Sequence, residues 1–149
     1  MRAVVQRVED CSVSVEGRET GRIDRGLLVY LGIGQEDGER DLAYIADKVA
    51  HLRIFPDEDG KMNLSASDLA LPLLVVSQFT LFGDVRNGRR PSYSSAAEPQ
   101  KARNLYLRLL DELRGRGFVV QAGEFAASMR VSYSNVGPVT ILLDSQKLF

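Results

Sequence analysis

Apolar and polar residues alternate strictly through Cys11-Ser12-Val13-Ser14-Val15, a period of two that predicts a strand with one buried face. The preceding Ala3-Val4-Val5-Gln6-Arg7-Val8 also favours extended backbone. Glu16-Gly17-Arg18 predicts a turn into a further strand over Glu19 to Ile23. Gly26 then opens Leu27-Leu28-Val29-Tyr30-Leu31-Gly32-Ile33, a run apolar enough to be a central strand.

From Asp41 the period lengthens. Leu42, Ile45, Val49 and Leu52 recur at three- and four-residue spacing, the stripe of an amphipathic helix facing a sheet. The acidic segment from Glu36 to Asp41 suits its N-terminus. Pro56, Asp57, Asp59 and Gly60 predict a turn after it, and Leu73-Leu74-Val75-Val76 a short buried strand. A second helix begins at Pro99, a residue suited to a first turn, with Ala102, Leu105, Tyr106, Leu109, Leu110 and Leu113 as its buried stripe. Gly115 and Gly117 predict its end. Strands return at Phe118 to Gln121, Met129 to Tyr133, and Val139 to Leu143.

Strands with two intervening helices imply an α+β fold with a mixed or largely antiparallel sheet. The helices are expected on one face. The run from Leu27 to Ile33 is apolar on both sides, so the second face needs cover as well, and a partner subunit is a natural source in a chain of 149 residues. No repeat, low-complexity tract or linker divides the sequence, which is expected to form one domain over residues 1–149.

Composition narrows the chemistry. The chain has one cysteine, Cys11, and one histidine, His51. An intramolecular disulfide and a thiolate metal cluster are therefore excluded, and a zinc site lacks ligands. Cys11 sits on an alternating strand and reads as a small buried hydrophobe, while His51 falls in the first helix, with nothing to place it beside a nucleophile. Gly32-Ile33-Gly34 follows a strand but lacks the pattern of a phosphate-binding loop. No run approaches the roughly 18 apolar residues that span a membrane, and the N-terminus resembles neither a signal nor a transit peptide. A cytoplasmic location is expected. The net charge of −1 hides a cluster, with Arg86, Arg89 and Arg90 close together and Lys101 and Arg103 soon after. Such a loop is either a solvated face or a small phosphate-reading patch.

Two segments serve no obvious purpose in a core. Ser77-Gln78-Phe79-Thr80-Leu81 ends the strand at Val76, and if that strand continues, Gln78 and Thr80 face away from Ser77, Phe79 and Leu81. Thr80 offers a hydroxyl that could attack or donate, although without a base it is a weak nucleophile. Asn135-Val136-Gly137-Pro138-Val139-Thr140 places Gly-Pro where a sheet needs uninterrupted donors. Gly137 lets a ligand approach the backbone closely, and Pro138 restricts its movement.

These segments resemble the D-aminoacyl-tRNA deacylase family, also called D-tyrosyl-tRNA deacylases. The likeness also runs through Val5-Gln6-Arg7-Val8, Gly26-Leu27-Leu28-Val29, Leu52-Arg53-Ile54-Phe55, Gly60-Lys61-Met62-Asn63-Leu64 and Gly88-Arg89-Arg90-Pro91-Ser92-Tyr93, in the expected order. It implies a cytoplasmic hydrolase that cleaves the ester between a D-amino acid, or mischarged glycine, and the terminal ribose of tRNA. It further implies a barrel-like fold whose sheets pack across a homodimer interface, no metal or organic cofactor, and neither membrane nor DNA as a partner. Ser77, Gln78, Phe79 and Thr80 would form one wall of the pocket. Gly137 and Pro138, joined by a cis bond, would reach into the partner's pocket and reject L-amino acids. Arg86, Arg89 and Arg90 are the candidates for contact with tRNA. One departure is Val136, where many members carry an acid.

The residue inventory suits this chemistry. An aminoacyl ester is already activated, and the neighbouring ribose hydroxyl lies beside its carbonyl, so orientation and backbone donors to the developing oxyanion could suffice. The rival route makes Thr80 a covalent nucleophile. A nucleic-acid-binding accessory protein and a general small-ester hydrolase are the alternatives, although the latter chemistry usually wants a general base.

Overall fold

The computed structural model describes residues 1–148. The first two elements are longer than the local pattern suggests. β1 (Arg2–Val15) and β2 (Arg18–Gly32) form one antiparallel hairpin, each absorbing two of the shorter expected strands. α1 (Glu39–His51) follows, then the small hairpin β3 (Phe55–Pro56) and β4 (Met62–Leu64). β5 (Leu73–Ser77) leads into a 3₁₀ turn over Phe79–Phe82, which is followed by α2 (Pro99–Gly115), β6 (Val120–Ala122) and β7 (Arg130–Asp144).

The five-stranded sheet has the order β6-β5-β2-β1-β7. β1 pairs antiparallel with β2 and β7, whereas β5 runs parallel to both β2 and β6. The apolar run from Leu27 is central, as its composition requires. Both helices lie on one face, where Leu42, Ile45 and Val49 of α1 and Leu105, Tyr106, Leu109 and Leu113 of α2 join Val5, Leu27 and Val29 in the main core. Each fully buried leucine there contributes on the order of 2 kcal/mol. The Tyr106 hydroxyl donates to the Val75 carbonyl at 2.9 Å, and burial pushes its phenol up to about 12. At the start of α1 the Asp41 carboxylate accepts from the Gly38 amide at 2.9 Å, the role suggested by the acidic segment.

The second face corrects one expectation. Leu28, Leu74 and Val76 are buried by Val8, Cys11, Val13 and Ile23 of the same chain. The sheet curls until Gly21 of β2 lies against Ala122 of β6, which gives the barrel-like form and needs no second subunit for this part. Cys11 is fully buried, and burial raises its thiol to about 11. Toward β7 the same face stays open. The paired positions Val4 and Leu142, and Gln6 and Thr140, lie there, with Leu142 57% exposed.

Candidate active site

β5 is apolar to its end, and the strand stops at Ser77. Gln78 breaks the extended backbone with φ −146° and ψ 80°, and its amide is fixed by the Leu31 carbonyl at 2.7 Å. The following residues wind into the 3₁₀ turn, with Leu81 N donating to Gln78 O at 3.3 Å and Gly83 N to Thr80 O at 2.9 Å. Strand alternation therefore does not govern Gln78 and Thr80. The turn bonds start at Leu81, so the amides of Phe79 and Thr80 take no part in them.

This turn lifts Phe79 out of the core. The ring is 58% exposed and meets the edge of Tyr93 at a centroid distance of 5.0 Å. Both rings line a cavity of about 590 Å³, together with Ser77, Gln78, Ala97, Phe125 and Met129 among others. The lining is mainly apolar, and it contains no histidine or carboxylate. Thr80 is exposed beside it, with the Gln78 side-chain amide donating to its hydroxyl oxygen. A hydroxyl that accepts from an amide and has no base against it is a poor nucleophile and a serviceable donor.

His51 is exposed on α1, where Nδ1 meets the Asp47 carboxylate at 3.1 Å, a surface residue as its position suggested. Among the described residues no group of three or more His, Cys, Asp or Glu side chains is arranged to hold a metal ion.

Gly137 and Pro138 lie elsewhere. They do not line the cavity that holds Ser77 to Phe79 in the same chain. β7 pairs with β1 through Thr140 opposite Gln6 and resumes with Asn135 opposite Val8, so residues 136–139 bulge out against Arg7 alone. The bulge answers the objection to proline in a strand, since no ladder bond is asked of Pro138. The Gly137-Pro138 bond is cis, and both residues are exposed. Asn135 brackets the loop, its Oδ1 accepting from the Val139 amide at 3.2 Å and its Nδ2 donating to Thr140 Oγ1 at 3.1 Å.

Arg7 is the residue that sequence reasoning undervalued. Its Nε donates to the Val136 carbonyl at 3.1 Å and its Nη1 to the Ile54 carbonyl at 2.7 Å. The guanidinium ties the bulge to the chain that follows α1 and limits where Gly137 can move. A signal was present, because Arg7 continues the inward positions Ala3 and Val5 of β1. Val136 contributes its backbone carbonyl, a group that does not depend on the side chain at that position.

The arginine loop divides. Asp84 and Ser92 close it with two main-chain bonds of 2.8 and 2.9 Å. Arg86 grips the Asp84 carboxylate through Nε at 2.9 Å and Nη2 at 2.6 Å, and these bonds hold the carboxyl down at about 2. Arg89 and Arg90 are exposed and enter none of the ion pairs among the described residues.

Known proteins resemble the chain along its whole length. The family model for D-Tyr-tRNA(Tyr) deacylase matches residues 4–144. D-aminoacyl-tRNA deacylases of Syntrophobacter fumaroxidans and Thermotoga petrophila are 55% and 57% identical over 149 residues, covering 100% of both chains in each pair. The solved structure of a c-Myc DNA unwinding element binding protein matches with a TM-score of 0.91 at 40% identity, over 97% of this chain and 98% of that one. A probable eukaryotic D-amino acid tRNA deacylase shares the fold, with a TM-score of 0.82 at 17% identity over 95% of this chain and 97% of the other. A match that begins in β1 and closes with β7, at more than half identity to full-length relatives, places this chain in the D-Tyr-tRNA(Tyr) deacylase family.

Proposed function

We propose that the protein hydrolyses the ester between a D-amino acid, or glycine, and the terminal ribose of tRNA, and that it does so in the cytoplasm as a homodimer of single-domain chains, 1–149. The observation that carries this reading is the separation of its two motifs. One chain offers a cavity walled by Ser77, Gln78 and Phe79, and on another part of its surface an exposed, clamped Gly137-Pro138 bulge. Two copies related by a two-fold axis give each cavity the bulge of the other. The open part of the sheet supports such pairing, since Val4 and Leu142 are partly uncovered and the Gln6 Oε1 is buried without a partner among the described residues.

In this site the main-chain amides at the start of the 3₁₀ turn and the Thr80 hydroxyl orient the ester and meet the charge that develops on its carbonyl oxygen. Water adds to the carbonyl carbon, the bond to the ribose oxygen breaks, and that oxygen leaves with a proton. The neighbouring ribose hydroxyl relays the proton, which accounts for a cavity without histidine or carboxylate. Rigid backbone at Gly137-Pro138 occupies the direction in which an L side chain would project.

Release of free amino acid from D-tyrosyl-tRNA, measured beside L-tyrosyl-tRNA and glycyl-tRNA, tests the reading. The D-ester and the glycine ester should be cleaved and the L-ester spared. Sedimentation at micromolar concentration should give about twice the 16.5 kDa chain mass. Equal cleavage of both enantiomers would favour a general esterase. The resemblance to a c-Myc DNA unwinding element binding protein supports a second reading, that of a nucleic-acid-binding accessory protein. Tight binding of duplex DNA with no ester hydrolysis would favour it.

The arginine loop gives a separate expectation. Charge reversal at Arg89 and Arg90 should weaken tRNA binding more at low salt than at high salt. The slope of log affinity against log salt should fall by about one for each phosphate that is no longer neutralised. Arg86→Gln should change the slope less, because Arg86 reaches a phosphate only by releasing Asp84. Turnover at saturating substrate should hardly move. Equal losses at all salt concentrations would assign these arginines to folding.

A further inference from the structure

The 3₁₀ turn that carries Phe79 and Thr80 is gripped from one end of the chain. Arg2, at the start of β1, donates from Nε to Asp144 Oδ2 at 3.0 Å and from Nη1 to the Leu81 carbonyl at 3.0 Å. Its guanidinium carbon also stands 4.6 Å from the centroid of the Phe82 ring. Asp144 ends β7 and is only 3% exposed, and its other oxygen accepts from the Gln146 amide at 2.7 Å, so the carboxylate is a fixed point. Three partners in three directions use the planar fork of arginine in a way that a lysine cannot reproduce.

Beneath the turn lie the glycines of Gly32-Ile33-Gly34, whose spacing fits no phosphate loop. A Cβ on Gly32 would come within 3.0 Å of both the Gln78 carbonyl and Leu81 Cβ, and one on Gly34 within 2.9 Å of the Phe82 ring. The two residues form a seat without side chains. Leu81 and Phe82 rest on it, and Arg2 closes over them from the side of β7.

We propose that Arg2 is a positioning residue of the deacylation site. Through Leu81 O and the Phe82 ring it sets the height and rotation of the turn, and hence where Phe79 and the Thr80 hydroxyl stand at the cavity. The role rests on the functional reading above. The alternative is an ordinary clasp between β1 and β7, for which the bond to Asp144 alone would serve.

Arg2→Lys keeps a cation for Asp144 and gives up the fork, whereas Arg2→Met gives up both. Kinetics on D-tyrosyl-tRNA and amide hydrogen exchange, both on the intact protein, separate the two roles. Positioning requires kcat to fall about tenfold or more in Arg2→Lys with KM within about twofold of wild type. It also requires faster exchange at Leu81 and Gly83 while the amides of β1 and β7 keep their protection. Gly34→Ala, whose Cβ would come within 2.9 Å of the Phe82 ring, should lower kcat in the same way. Whatever Arg2→Met does, unchanged kcat in Arg2→Lys overturns the proposal. So does a loss that merely follows the unfolded fraction, or exchange that accelerates in β1 and β7 equally. A wild-type protein inactive on every aminoacyl-tRNA, with the turn still loosened in Arg2→Lys, would sink the deacylase reading and leave the seating of the turn standing.

Discussion

Gly137→Ala should lose activity on D-aminoacyl-tRNA by about 100-fold or more, equivalent to about 2.7 kcal/mol of transition-state stabilisation, while the chain stays folded. Gly137 has φ +122°, a conformation L residues rarely adopt. A Cβ there would lie 2.8 Å from Val139 Cγ2 and 2.9 Å from Arg7 Nη2. Arg7 has little freedom to withdraw, because its other nitrogens are committed to Val136 O and Ile54 O. The methyl group must therefore displace the bulge itself, and with it the backbone that meets the substrate in the proposed dimer. The cost to folding is about 1–3 kcal/mol for a side chain forced into such a region, against a typical domain stability of about 5–15 kcal/mol. Thermal unfolding and kcat/KM on the same preparation check the two halves of the expectation. Full activity with intact discrimination against the L-ester would mean that the bulge is only a turn and that chirality is read elsewhere.

The second large effect should come from the substrate. Replacing the ribose hydroxyl beside the ester with hydrogen should slow hydrolysis by about 100- to 10,000-fold, the range of a general acid–base group. Thr80→Ala should cost far less, about tenfold, because its hydroxyl already accepts from Gln78 and has no base to activate it. Single-turnover rates on the two tRNAs and the variant give the comparison directly. An ester trapped on Thr80 and found by mass spectrometry would reverse the assignment and make the threonine a covalent nucleophile.

Much of the scaffold could be read along the chain. The stripes Leu42-Ile45-Val49 and Leu105-Leu109-Leu113 are buried on α1 and α2, because helical spacing maps onto one face whatever the helix packs against. The long strands were less legible. Glu9 and Asp10 look like a turn, yet they lie within β1, where the pairing with β7 becomes irregular, the register with β2 is kept and Asp10 takes φ +49°. Local polarity cannot distinguish a turn from a bend in a continuous ladder. The bulge at residues 136–139 was hidden for a related reason, since it depends on Arg7, which is distant in sequence. Leu27 to Ile33 announced two buried faces, but not that the same chain curls round to cover much of the second. The residue types of the candidate site could be read from its motifs. Their division between two parts of the surface was implied by the resemblance and by no local pattern, because it depends on topology.

β7 has a divided allegiance. Near its middle it bears Gly137 and Pro138, which in the proposed dimer complete the partner's cavity, and at its end Asp144 holds the arginine that seats the turn of its own. A chain damaged at Gly137 and a chain damaged at Phe79 would each lack what the other still supplies. When the two are refolded together, each mixed pair regains one sound site from two inactive parents. Random pairing of equal amounts would restore about a quarter of the wild-type sites. Genetically, such lesions would complement within a single gene, and neither would behave as a simple loss of one enzyme's function.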